Sequence, residues 1–97
     1  MKTYYAGDTV GKRFRFYDED DAAVDPDTIT VTIKDPSGTV VDTLEKADLT
    51  KEETGVYAMV WNLPSDATAG FWLMLVKGTR TTGTIANTEP FKFQVVG

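Results

Sequence analysis

Glu53-Thr54-Gly55-Val56-Tyr57, then Val60-Trp61-Asn62-Leu63-Pro64, then Ala69-Gly70-Phe71-Trp72-Leu73-Met74-Leu75-Val76: this stretch decides the fold of the chain. Two apolar runs each begin at a glycine, and a short Pro/Asp/Thr segment joins them. Runs of β-prone residues bounded by such punctuation predict antiparallel strands. Both runs are apolar on both sides. Tyr57, Met59, Trp61 and Leu63 oppose Val56, Ala58 and Val60; Phe71, Leu73 and Leu75 oppose Trp72, Met74 and Val76. A strand of that kind is central, or something covers its second face.

Further strands lie on either side. Thr28 to Lys34 alternates cleanly, with Ile29, Val31 and Ile33 facing in and the threonines and Lys34 facing out. Asp35-Pro36-Ser37-Gly38 then predicts a turn, with Pro36 presetting φ and Gly38 closing it. Thr39 to Leu44 returns as the hairpin partner. Asp8 to Tyr17 places Val10, Phe14 and Phe16 on one side and Arg13, Arg15 and Tyr17 on the other. Glu45 to Thr54 predicts a loop or single turn crossing between sheets. Gly78 ends the second run. Thr79 to Ala86 reads as a flexible hairpin or short edge strand, and Glu89 to Val96 as a closing strand with Phe91, Phe93 and Val95 on one face. Seven strand candidates with turn signals at intervals of roughly 8–12 residues mark a sandwich or barrel. The fold class expected is all-β, an antiparallel sandwich of about seven strands, formed by one domain over residues 1–97.

The string Val31 to Val41, with Thr54-Gly55-Val56-Tyr57 and Leu63 to Trp72, resembles an immunoglobulin-like (Ig-like) domain. It is most similar to macroglobulin-type sandwiches and small bacterial and phage Ig-like modules, and the ending Glu89 to Val95 resembles how those domains close. The resemblance implies fold and scaffold duty, not catalysis. It also implies a tyrosine corner at Tyr57, whose hydroxyl would bond back to nearby backbone. Met59 stands where antibody-type domains carry a cysteine, so no close antibody relation follows.

Composition removes many functions. The chain has no Cys and no His, so disulfides, thiolate zinc sites and the usual nucleophile–base pairs near neutral pH are excluded. Ser37 and Ser65 have no base near them in sequence. Net charge is −5, which argues against nucleic acid and anionic membranes as partners. Lys12-Arg13-Phe14-Arg15 is the one basic run and reads as a solvated strand face. No run approaches the roughly 18 apolar residues of a membrane span. Met1 to Asp8 lacks the apolar segment of a signal peptide, so cytoplasmic synthesis is expected.

Two groups of residues are candidate sites. Asp18, Asp20 and Asp21 lie in the acidic stretch Asp18 to Asp27, and clustered carboxylates suit calcium. The stretch lacks the glycine that bends a calcium loop, and Ala22 and Ala23 interrupt it; a solvated loop is the simpler reading. No cofactor is expected. Tyr57, Trp61, Phe71 and Trp72 are the candidate contact residues, as core or as a patch that meets another protein chain, and Tyr4, Tyr5, Tyr17, Tyr57, Trp61 and Trp72 form the alternative, a sugar-stacking platform. The expected function is a non-enzymatic structural or interaction module in a larger assembly, such as a phage particle or microbial surface structure. The partner is another protein chain, a second copy included. The alternatives are a carbohydrate- or ligand-binding module and a domain excised from a longer surface protein.

Overall fold

Strict alternation of β-branched and polar residues makes Thr28–Lys34 the spine of the larger sheet. The computed structural model describes residues 2–81 and 90–96. Among these, the strands are β1 (Lys2–Tyr5), β2 (Thr9–Arg15), β3 (Thr28–Lys34), β4 (Val40–Glu45), β5 (Thr50–Glu53), β6 (Val56–Asn62), β7 (Gly70–Thr79) and β8 (Phe91–Val96), with one 3₁₀ turn at Lys46–Asp48. They form a five-stranded sheet ordered β1-β8-β7-β3-β4 and a three-stranded sheet ordered β2-β6-β5. All neighbours are antiparallel except β1 and β8, which run parallel. The molecule is an all-β sandwich, as expected.

The two runs of the opening stretch lie in different sheets: β6 is central in the small sheet, and β7 is the middle strand of the large one. Their inward side chains interleave. Trp61 and Trp72 meet with ring centroids 6.2 Å apart, and Trp72 stacks on Phe93 at 6.1 Å. Aromatic contacts of this kind add about 0.5–1.5 kcal/mol each beyond the area they bury. Val10, Phe14 and Phe16 from the β2 segment and Ile29, Val31 and Ile33 from β3 complete the core.

Several boundaries differ from those expected. Gly78 does not end the strand: β7 runs on to Thr79, and Gly78 lies beneath Phe16, whose ring carbons would sit 3.0 Å from a Cβ there. A side chain there would press on Phe16 and on Pro26, 3.3 Å away, so glycine leaves room for the Phe16 ring. β5 forms within the segment expected as loop, because β6 offers it a free edge although all four of its residues are exposed. β1 forms because β8 offers an edge in the same way. The strand expected over Thr79 to Ala86 lies largely outside the described residues.

Candidate functional site

The contact residues expected from the sequence separate into core and surface. Tyr57 (3% exposed), Trp61 (7%) and Trp72 (2%) are core. That corrects the expectation of an exposed platform at these three: between the sheets their apolar ring surface leaves water, and their polar atoms find partners there. A buried Trp needs a partner for its N–H. Trp61 Nε1 donates to Asp42 Oδ2 at 2.9 Å, and Trp72 Nε1 donates to the Thr68 carbonyl at 2.8 Å. Phe71 alone stays outside, 61% exposed. Of the six aromatics of the alternative sugar platform, Tyr57, Trp61 and Trp72 are buried and Tyr4 packs partly against the core, whereas Tyr5 (63%) and Tyr17 (40%) are exposed.

Tyr57 is tied down differently from a tyrosine corner. Its hydroxyl donates to Asp25 Oδ1 at 3.3 Å, a side chain 32 positions away, rather than to nearby backbone. Asp25 also accepts from the Gly55 N–H at 2.8 Å and from Lys51 Nζ at 2.7 Å. The Lys51 hydrogen bond, followed by that of Gly55, holds the Asp25 carboxyl below its ordinary pKa. Burial, then the Asp25 charge, pushes the Tyr57 hydroxyl up. This node fastens the acidic loop to β5 and β6.

Of the candidate calcium ligands, Asp18 serves the loop itself. Asp18 Oδ1 accepts from the backbone N–H of Asp20 at 2.8 Å and of Ala22 at 3.0 Å. Asp21 takes φ of +61°, supplying the bend that a glycine would otherwise make. Among the described residues, no three Asp or Glu side chains converge as metal ligands.

Around Phe71 the strand register builds a surface. Residues paired across a sheet share a face. Leu73 is opposite Lys34 on one side and Lys92 on the other, and Lys34 is opposite Val40. One row on the outer face of the large sheet thus reads Val40, Lys34, Leu73, Lys92. Phe71 stands one pleat along β7 beside Gln94, and Leu75 one pleat the other way beside Thr32. A shallow depression of about 490 Å³ opens here, lined by Lys34, Asp35, Pro36, Phe71, Leu73 and Lys92. Pro36 reaches it from the β3–β4 turn, which Asp35 secures: its Oδ1 accepts from the Ser37 N–H at 3.0 Å, the Ser37 hydroxyl at 2.6 Å and the Thr39 N–H at 3.0 Å. The Ser37 hydroxyl is the main reason that the Asp35 pKa is lowered.

The outer face of the small sheet is different. There Arg13 pairs with Glu52 across β6, and Val60 stands 72% exposed opposite Gly11. Sequence reasoning identified Phe71 and Leu73 as sharing a face but missed Lys34, Lys92 and Pro36. Each strand's alternation marked the two lysines as outward. Only the register brings them to one place.

No known sequence family matches the chain, and no curated protein sequence matches it. Solved structures do. A trypsin-activated alpha-2-macroglobulin from Escherichia coli matches with a TM-score of 0.73 at 23% identity, over 98% of this chain and 6% of that one. The filamin domain of Lin-41 matches with a TM-score of 0.66 at 16% identity, over 98% of this chain and 83% of that one. The chain is an Ig-like β-sandwich, and it spans a small fraction of the macroglobulin's length.

Proposed function

We propose that this Ig-like sandwich is a non-enzymatic interaction module and that it meets its partner through the Phe71 face. The observation that carries the reading is Phe71 itself. It is a large aromatic residue held 61% exposed in a central strand, beside Leu73 and a depression that Pro36 helps to wall. An exposed apolar patch with a polar rim is the usual form of a protein contact site. A larger assembly, such as a phage particle or a microbial surface structure, is the setting in which such a module works. Service as one module within a longer chain is favoured by one comparison, since the same fold occupies 6% of a macroglobulin.

The test is incorporation. In source cells, the tagged domain sediments with a large assembly. Phe71→Asp moves it to the light fraction, while Val60→Asp, on the opposite sheet, leaves it in place. A wild-type domain found only in the light fraction contradicts the reading.

A further inference from the structure

We infer that the Phe71 face takes an acidic protein segment that presents one apolar side chain, its carboxylates meeting Lys34 and Lys92. The inference rests on the interaction-module reading and names the partner's chemistry.

Three observations carry it. The first is geometry. Lys34 and Lys92 lie directly on either side of Leu73. Neighbouring strands are about 4.8 Å apart, so the two lysine stems stand about 10 Å apart with an apolar floor between them. An apolar side chain seated against Phe71 and Leu73 would have a cation on each flank.

The second is charge. The chain carries 15 acidic and 10 basic residues. Its described ion pairs, Arg13 with Glu52 and Lys51 with Asp25, lie away from this face. Lys34 and Lys92 make no ion pair among the described residues. Asp35 is the acid at the rim, and its Oδ1 is engaged by the turn. Glu45 is on the same face two pleats away, opposite Thr30, and its backbone N–H is bonded to Asp48. The two cations at the depression are therefore left for a partner, whereas Arg13 on the small sheet's outer face is already paired with Glu52.

The third concerns a second copy. Two copies meeting through this same face around a two-fold axis would bring lysines toward lysines, and like-charge juxtaposition opposes association. Complementarity points to a different, acidic surface.

The experiment uses short synthetic peptides, each with a central Phe or Leu flanked by Asp and Glu, by Ser, or by Lys. They are titrated into the ¹⁵N-labelled domain while amide shifts are followed. The acidic set is expected to move Lys34, Phe71, Leu73 and Lys92, to bind more weakly as salt is added, and to lose about two- to fivefold in affinity for each Lys→Gln change, the range exposed charge pairs give. Lys92→Gln on an exposed strand position is the fold-safe variant, and its melting curve is recorded alongside. Equal binding of the Ser- or Lys-flanked sets, shifts centred elsewhere, or no binding by any set overturns the inference. So does self-association of the free domain through this face, or binding to anionic vesicles with the same shifts. The module reading fails separately, through the sedimentation behaviour of Phe71→Asp in source cells.

Discussion

Pro36 closes over Gly70: a Cβ at position 70 would sit 2.8 Å from Pro36 Cγ, and the backbone there holds φ at +136°. The glycine that begins β7 thus lets the β3–β4 turn fold down beside Phe71. One residue both starts the strand and shapes the wall of the depression.

Gly70→Ala is expected to cost about 1–3 kcal/mol, from backbone strain and displacement of the turn. Gly38 also has positive φ, +87°, but open space around it. Gly38→Ala should therefore cost less than Gly70→Ala. Urea melts of the two variants check the order, and equal losses would mean that the Pro36 contact contributes nothing.

Adjacent residues on β7 separate core from surface. Trp72 is buried with its N–H satisfied by Thr68, so Trp72→Ala should remove about 3–5 kcal/mol. That is a large share of the 5–15 kcal/mol by which such domains are typically stable. Phe71→Ala should stay within about 0.5 kcal/mol of wild type. Thermal melts with near-ultraviolet circular dichroism distinguish the two. A large loss at Phe71 would make it structural.

Acid should loosen the Asp25 node. Asp25, Asp27, Asp35 and Glu52 all have lowered carboxyl pKa values. A lowered folded-state pKa adds stability that is present above the unfolded value, near 4, and is lost as pH falls through the folded value. Stability should therefore decline below about pH 4. The Asp25 contribution is isolated by Asp25→Ala. Removing it leaves the Gly55 N–H and the Tyr57 hydroxyl without their acceptor, at a cost of about 1–3 kcal/mol. The variant should also show a flatter acid limb, and an unchanged limb would remove Asp25 from the account.

Much of the sandwich was legible from residue patterns. Thr28 to Lys34 declared itself because each β-branched residue alternates with an outward polar one, and β3 has those bounds. β5 was not legible: Thr50-Lys51-Glu52-Glu53 contains nothing apolar, and it is a strand only because β6 has an edge to pair. β1 depends likewise on an edge supplied by β8, near the far end of the chain. At the candidate site, alternation put Phe71 and Leu73 on one side of the strand, but with both sides apolar it did not say which side faces out. The burial of Trp61 could not be read either, because its partner Asp42 is 19 residues away on another sheet. Nor could the row of Lys34, Leu73 and Lys92, which exists only once three strands pair in one register.

The most direct test of the proposed contact face is a photo-reactive phenylalanine placed at position 71, with a second domain carrying it at position 60. Both sites are exposed, on opposite sheets. Illumination of intact source cells should give one discrete crosslinked species from position 71 and none from position 60. Crosslinking from position 60 alone, or equally from both, would contradict the account.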